Sequence, residues 1–486
     1  MRVLLINPPN TMDDVLGKAS VFVSELDPLG LLYIAAVLER EGHEVVVLDA
    51  FIDRLNLKSI LDEVGRVKPD VVGISCLTSN GAAVFEIGRA IKANFTGLKV
   101  VLGNIHASIF YETYLNHMCA DAVVHGEGEY AFMNICRRYD EGKDLSGIPG
   151  VSWYSGTGIV NNDPPELIYD LDGLPMPARH LVPKEKYSVG KLNNFIYVNK
   201  GKRAIRQMFT SRGCVYSCAF CVVHKNRKYR TMSPSRVVDE MEHLVKEYDV
   251  GYVFIMDSLF IADKKRVQRI CEEMINRRVD LKWGCEGHVN IIDENMLGWM
   301  ERAGCYEIHF GIESGVQRLL DNVNKGTTLE NIEKKVKMVK KNSGIKVSGL
   351  FMLGLPGETP QDSRTTIEFA RRLPLDFAQF SITVPYPGSR LFEELSRDGK
   401  LDTGLRPNGD VDLDVWMRYS AHAGFSENKP IYVPEGMSAD DLKRMEKLAL
   451  RRFFLRPSKI IDQIRRIDLK NMDEVLRAAK AAFLEK

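Results

Sequence analysis

The chain has 486 residues, 45% of them hydrophobic and 27% charged, an ordinary balance for a soluble protein and too long for one compact core. Its 66 basic and 65 acidic residues give a formal net charge of +1, which excludes a general electrostatic attraction to nucleic acid. No apolar run approaches the roughly 20 residues that cross a membrane, so no transmembrane segment is expected. The opening Met1-Arg2-Val3-Leu4-Leu5-Ile6-Asn7-Pro8-Pro9 reads as a strand and turn, too short for a signal peptide, and a cytoplasmic location follows as an expectation.

Residues 1–145 alternate short apolar strands with amphipathic helices. Strands are expected at Val3–Asn7, Glu44–Leu48, Val71–Cys76, Lys99–Leu102 and Ala122–His125, rich enough in Val, Ile and Leu for a parallel sheet buried on both faces. Asp27-Pro28 reads as an N-cap and first helical residue, with Leu31, Ile34, Ala35 and Leu38 as one apolar stripe and Gly42 as the stop. A further helix is expected from Ala82 to Ala93. Five βα units give a doubly wound sheet whose ligand lies outside the carboxyl ends of its strands.

The rhythm fades over residues 146–195, where Asn161-Asn162-Asp163-Pro164-Pro165 and Leu174-Pro175-Met176-Pro177 mark a linker. It resumes over residues 196–400. Strands are expected at Arg206–Ser211, Tyr252–Met256, Lys282–Glu286, Glu307–Ile312, Val347–Leu353 and Gln379–Thr383, with helices at Pro234–Glu247, Lys264–Asn276, Thr328–Lys341 and Pro360–Arg371. Six such units suggest a partial (β/α)6 barrel with functional groups at the strand ends. Residues 401–486 read as a helical C-terminal region, in which Ser438 and Asp441 resemble a capping box ahead of the apolar face Leu442, Met445, Leu448, Ala449 and Phe453.

Nine cysteines, an odd number mostly scattered through apolar segments, fit a reducing compartment rather than a disulfide framework. Three of them lie within eight residues: Cys214, Cys218 and Cys221, spaced C-x3-C-x2-C directly after a strand. Three thiolates on one tight loop can ligate three irons of a cubane cluster and leave the fourth open. His224 could instead complete a Cys3His zinc site, and three buried cysteines without a cofactor are the plainest alternative.

At this point the sequence resembles the radical-SAM superfamily, whose signature is this spacing with an aromatic, here Phe220, before the third cysteine. The resemblance continues at strand ends downstream. Asp257-Ser258-Leu259-Phe260 stands where the family contacts the SAM amino group, although the usual acidic pair is missing. Phe310-Gly311-Ile312-Glu313-Ser314-Gly315 resembles the ribose-binding segment, and Leu353-Gly354-Leu355-Pro356-Gly357-Glu358 the loop near the adenine. The resemblance thus implies a [4Fe–4S] cluster on Cys214, Cys218 and Cys221, SAM contacts from Phe220, Asp257, Ser258, Glu313, Ser314, Gly354 and Pro356, and an electron donor such as flavodoxin or ferredoxin.

Residues 1–145 have no G-x-G-x-x-G after the first strand and no phosphate loop. They resemble the cobalamin-binding domain found ahead of many radical-SAM barrels, through Asn7-Pro8-Pro9, Pro28-Leu29-Gly30-Leu31, Gly103-Asn104-Ile105-His106 and Gly126-Glu127-Gly128-Glu129. Asp170-Leu171-Asp172-Gly173-Leu174-Pro175 resembles the segment that joins the two domains. The D-x-H-x-x-G motif that supplies a histidine to cobalt elsewhere is absent, so base-off cobalamin without a protein ligand is expected, its lower face meeting Leu77-Thr78-Ser79-Asn80. Asn7, Pro8, Ser79, Asn80, Gly103, His106, Gly126, Glu127 and Gly128 are the implied cobalamin contacts.

The resemblance implies methylation of an unactivated carbon of a small-molecule or lipid-like substrate, through a 5′-deoxyadenosyl radical and methylcobalamin. A cobalamin-assisted oxidation, cyclisation or rearrangement, as in the related porphyrin-ring cyclases, is the alternative reaction. A non-enzymatic cobalamin- or metal-binding regulator is the alternative of another class. Cys285 and Cys305 lie beside barrel strands, with buried packing as their plain role and approach to the active site as the sharper one. Trp283, Glu286 and His288 sit on or just beyond the third strand's end, where His288 either faces substrate or pairs with a carboxylate. Tyr386 follows the sixth strand as a wall of the substrate cavity or as part of a plain proline-rich turn. The basic, aromatic stretch 451–470 reads as a helix end with a solvated basic face, or as a surface for an anionic or lipid-like substrate.

Overall fold

A computed structural model describes residues 1–9, 26–187, 204–225, 228–419 and 429–459, with the backbone alone at 224 and 225. The chain divides into two compact units. The first comprises Met1–Thr11, Asp27–Lys186 and Asp402–Tyr419, and the second Met12–Leu26, Tyr187–Leu401 and Ser420–Lys486.

In the first unit, β1 (Arg2–Asn7), α1 (Leu29–Arg40), β2 (Glu44–Asp49), α2 (Leu57–Val67), β3 (Val71–Ser75), α3 (Gly81–Asn94), β4 (Lys99–Gly103), α4 (Ile105–Ile109), α5 (Tyr111–Asn116), β5 (Ala122–Val124), α6 (Gly128–Asp140), β6 (Val151–Tyr154) and β7 (Ile159–Asn161) follow one another. They form one sheet in the order β2-β1-β3-β4-β5-β6-β7. The first five strands are parallel, and β6 and β7 add antiparallel. Helices α1 and α6 pair, as do α2 and α3, as a doubly wound sheet requires. Strand order reverses between β1 and β3, so the crevice of such a sheet opens beyond Asn7 and Ser75.

Three expectations are corrected here. The stretch from 146 read as a linker contains β6 and β7, because Val151, Ser152 and Trp153 pair with Val124, Val123 and Ala122 and so cover the edge of β5. Asp27 does not cap α1. The helix starts after Pro28 without a side-chain cap, and the Asp27 carboxylate pairs with the equally buried Arg179. The region from 401 is not continuously helical: residues 402–419 belong to the first unit, where Trp416, the end of a single helical turn, sits among Phe85, His106, Phe110 and Tyr114. Burying a large aromatic outweighs the local preference for a longer helix.

The second unit contains β8 (Ala204–Met208), the two-residue β9 (Ser211–Arg212), β10 (Arg230–Thr231), α7 (Pro234–Tyr248), β11 (Val250–Ile255), α8 (Lys264–Asn276), β12 (Lys282–Gly287), α9 (Glu294–Arg302), β13 (Cys305–Glu313), α10 (Gln317–Asn322), α11 (Leu329–Asn342), β14 (Lys346–Leu353), α12 (Pro360–Arg372), β15 (Phe377–Ile382), α13 (Arg390–Arg397) and α15 (Ala439–Phe454), α14 being the Leu413–Trp416 turn of the first unit. Strands β8, β11, β12, β13, β14 and β15 form an open six-stranded parallel sheet, the expected partial barrel. Alternation sends Val347, Phe351 and Phe380 to the helices and Glu307, Ser348, Leu350 and Met352 to the inner face. Helix α15 carries the expected capping box, Ser438 and Asp441 bonding reciprocally, and buries Leu442, Met445, Ala449 and Phe453 against α12 and β15. Phe453 turns inward under the Arg456 guanidinium, and residues 460–470 of the basic stretch lie outside the described residues.

Candidate active site

The cysteine loop leaves β8 and is clamped at its base. Asp257, fully buried at the end of β11, accepts four hydrogen bonds: from Thr210 N (2.6 Å), Thr210 Oγ1 (2.5 Å), Ser211 N (3.0 Å) and Ser211 Oγ (2.6 Å). Burial pushes its pKa up, and the hydroxyl and amide donors oppose that shift. Arg266 donates to the carbonyls of Thr210 and Met232 from the other side. Gly213, at φ +87°, makes the turn into the loop. Beyond it, Ala219 N donates to Val323 O, Asn324 Nδ2 to Ser217 Oγ (2.7 Å), and the Tyr216 ring stacks on His288 at 3.9 Å.

Cys218 is buried and Cys214 and Cys221 half-buried. Burial raises the pKa of Cys218 and of Cys221, and the nearby Lys325 ammonium opposes it in both. Among the described residues no three of His, Cys, Asp or Glu converge closely enough to hold one metal ion. In a cubane cluster each thiolate takes a different iron, which suits three cysteines on one tight loop. The donor set therefore fits the cluster; the side chain of His224 lies outside the described residues.

Facing the loop is an ion pair that no motif announced. Lys325 Nζ lies 2.8 Å from Glu313 Oε1, both groups buried, with the ammonium 5.9 Å above the Phe220 ring. Glu313 adopts φ +64°, and the β13–β14 register shifts between Gly311 and Glu313. A left-handed glutamate is strained, and such strain marks sites that the surroundings over-determine. The pair lies over Gly311, where a Cβ would be 2.4 Å from the carboxylate and 2.8 Å from the ammonium. Lys325 sits in a polar turn, Asn324-Lys325-Gly326, and only its burial distinguishes it from surface lysines.

The other implied SAM residues divide by role. Ser258 is exposed and Phe220 half-buried, both accessible. The Asp257 carboxylate, expected to meet SAM, is engaged by Thr210 and Ser211 of the cysteine loop, and the backbone beside it is the other group on offer. Ser314 is likewise committed: its fully buried hydroxyl lies 3.1 Å from Thr366 Oγ1 and accepts from Val316 N. Gly354, at φ +86°, and Pro356 lie on a loop closed by Glu358, whose carboxylate accepts from Gly354 N, Leu355 N and Ser363 Oγ. Cys285 and Cys305 are buried, and Cys285 lies beside Cys271 of α8 on the helix side.

In the first unit the implied cobalamin residues gather at the carboxyl ends of β1, β3, β4 and β5. Asn7 donates to Asp49, and Pro8 is buried. Gly103 is open, and Asn104 (φ +80°) reaches Ser75 Oγ. Ser79 is half-buried, whereas the buried Thr78 Oγ1 and Asn80 Oδ1 have no hydrogen-bond partner among the described residues. His106 is fully buried, its two ring nitrogens without a partner among the described residues, and burial lowers its pKa to about 3. The neutral ring is shut between Phe110 (4.6 Å) and Trp416 (4.4 Å). Gly126 (φ +73°) begins the turn into α6. Glu127 accepts from Ile168 N, tying residues 165–168 to the crevice, and Gly128 lies against Ile34. Orphaned polar atoms beside an open glycine at the strand ends fit a large ligand with a polar edge.

Comparison with known proteins matches this division. Residues 18–136 match the B12 binding domain and residues 208–370 the Radical SAM superfamily. An uncharacterised methyltransferase of Pyrococcus horikoshii is 31% identical over 96% of this chain and 95% of its own. The anaerobic magnesium-protoporphyrin IX monomethyl ester cyclase of Rubrivivax gelatinosus is 31% identical over 94% of this chain and 78% of its own, and the cytidylyl-2-hydroxyethylphosphonate methyltransferase of Streptomyces wedmorensis 30% over 82% and 83%. In fold, the chain is similar to the radical S-adenosylmethionine methyltransferase TsrM of Kitasatospora setae (TM-score 0.65, 22% identity, 97% of this chain and 91% of that one). It is also similar to the cobalamin-dependent S-adenosylmethionine radical enzyme OxsB (TM-score 0.72, 17% identity, 98% and 71%).

Proposed function

The chain belongs to the cobalamin-binding radical-SAM enzymes, and from that premise we propose that it methylates an unactivated carbon of a small-molecule or lipid-like substrate. The observation that carries the reading is the buried Glu313–Lys325 pair beside a clamped three-cysteine loop, in a chain that also has a cobalamin-type crevice. Cys214, Cys218 and Cys221 would hold the cluster, and Gly103, Ser79, Asn80 and the β1 turn at Asn7 and Pro8 would receive cobalamin. When bound, these groups supply the electron that cleaves SAM and the carrier for the methyl group.

This chain's own residues bind and orient. Asp257 fixes the cysteine loop through Thr210 and Ser211. Glu313 offers a carboxylate to the ribose hydroxyls of SAM, and Lys325, 2.8 Å from it, holds that carboxylate in place inside a buried wall. Ser258, the backbone at 256–258, Phe220 and the Gly354–Pro356 loop complete the SAM seat. Ser314 acts behind it, through Thr366. The reducing electron comes from a flavodoxin- or ferredoxin-like donor in the cytoplasm. Among the described residues no helix is long and apolar enough to cross a membrane.

The test is incubation of the anaerobically reconstituted enzyme with SAM deuterated in its methyl group and an extract of the source organism. A product that gains the label, with 5′-deoxyadenosine and S-adenosylhomocysteine both formed, supports the reading. An unlabelled product without S-adenosylhomocysteine moves the enzyme to the cyclase-like reaction that its similarity to the Rubrivivax protein also accommodates. The Cys218→Ala protein should bind no cluster and cleave no SAM; stoichiometric zinc in place of iron would overturn the cluster.

A further inference from the structure

The inner face of the barrel sheet carries a second polar row, separate from the Glu313–Lys325 pair. Glu286 on β12 stands in register with His309 on β13, and His309 with Ser348 on β14. Their parity is that of Gly284, where a Cβ would strike Tyr252 Oη and the Glu307 side chain, so all face inward, away from the helices. Below them Glu307 accepts from Tyr252 Oη (2.6 Å) and pairs with His309 Nε2 (2.9 Å). That network is closed. The other two members of the row are not: the Ser348 hydroxyl is fully buried with no hydrogen-bond partner among the described residues, and Glu286 accepts no hydrogen bond from any of them.

A buried hydroxyl left unsatisfied costs about 1–3 kcal/mol, and the half-buried Glu286 carboxylate in the same row is free to accept, so the row is suited to a partner that arrives with the ligand. Charge defines that partner. Three carboxylates, Glu286, Glu307 and Glu313, face inward against Lys325 and His309, and a fourth, Asp257, lies near, so acidic groups outnumber basic ones along this wall. Burial raises the pKa of Glu286, with the Glu313 and Asp257 charges acting in the same direction and His309 and Lys325 opposing. A cation placed against it offsets the neighbouring carboxylates. Leu350 and Met352, half-buried further along the same face of β14, supply an apolar wall.

We propose that Glu286, in one inward row with the Ser348 hydroxyl two strands away across His309, is the specificity-determining subsite for substrate, and that it takes a cationic nitrogen, a protonated amine or guanidinium, whose apolar body lies along Leu350 and Met352. This assignment rests on the methyltransferase reading and narrows its substrate to amines and guanidines. SAM also carries a cationic nitrogen, but the row lies four residues before Glu313 on β13, deeper in the barrel than the strand ends that would seat SAM, which assigns it to substrate.

The experiment divides a small-molecule extract into fractions retained by a cation exchanger, retained by an anion exchanger, and unretained. Each is supplied to the reconstituted enzyme with methyl-deuterated SAM. The label should enter a product of the cation-exchanged fraction. Glu286→Gln should raise KM for that compound about tenfold or more with a smaller change in kcat, and Glu286→Asp should recover part of the loss. Label entering only anionic or neutral compounds overturns the subsite and leaves methylation standing. A Glu286→Gln protein whose KM rises for SAM instead, or for neither compound, also overturns it. No label from any fraction refutes the methyltransferase reading and the subsite with it. Should Glu286→Gln fail to load iron, Ser348→Ala, which removes one hydroxyl, gives the same readout: a raised KM for the cation supports the subsite, an unchanged one opposes it.

Discussion

Lys325 Nζ and Glu313 Oε1 meet at 2.8 Å over the bare backbone of Gly311, and neither side chain has appreciable contact with solvent. Removing one partner strands a charge. Lys325→Met should therefore destabilise the enzyme by about 3–5 kcal/mol, while the Glu313→Gln/Lys325→Met double variant should recover much of that loss. Thermal unfolding of the two single variants and the double variant checks the coupling. SAM binding should fall in all three, because the carboxylate is lost or displaced. Gly311→Ala should reproduce the SAM defect without touching either charge.

Asp257→Asn replaces two acceptor oxygens by one and turns an amide toward donors. The clamp at Thr210 and Ser211 should lose about 2–3 kcal/mol, and the cysteine loop its fixed position. Iron per chain after reconstitution should drop by at least half, with SAM cleavage falling in parallel. An Asn variant with full iron and lower SAM affinity alone would instead make Asp257 a direct SAM contact.

Burial raises the pKa of Glu358 to about 7 from the ordinary 4.5, against the bonds from Ser363, Leu355 and Gly354. The folded protein then binds the proton more tightly than the unfolded chain between those two values. Stability from this group is complete below about pH 4.5 and is lost as pH rises toward 7, by an order of magnitude of 3 kcal/mol. Denaturant unfolding of wild type and Glu358→Gln across pH 5–8 should differ in slope, the variant being flatter. Equal slopes would show that the carboxylate is ionised throughout.

His106 is neutral and sealed between Phe110 and Trp416, so cobalamin should bind without nitrogen from this histidine on cobalt. The cob(II)alamin resonance of the loaded enzyme should lack axial nitrogen hyperfine structure and be unaltered in His106→Ala. A coupling that disappears in that variant would contradict this. Trp416→Ala should open the cluster and let the His106 pKa climb from about 3 toward 6.5, measurable by imidazole NMR titration.

The sequence by itself determined the two α/β halves, because buried parallel strands must be runs of Val, Ile and Leu and because helix caps are local. Lys264–Asn276 and the Ser438 capping box are where those rules place them. It also located the three cysteines and Glu313, since a cluster loop and a strand-end glycine segment are contiguous in the chain. Only the tertiary structure decided what those residues do. Asp257 and Ser314 read as ligand contacts in a motif, yet their side chains are consumed by Thr210, Ser211 and Thr366, partners 46 to 52 residues away. Lys325 is one lysine among many until folding buries it against Glu313. Trp416 lies in a stretch without a motif, and it joins His106 across 310 residues because the apolar pocket between Phe85, Phe110 and Tyr114 is completed by a ring from elsewhere. Glu286 and Ser348 belong to different strands, and they become neighbours of His309 only through sheet register. Local rules fix the elements; burial and register, which couple residues distant in the chain, fix the chemistry.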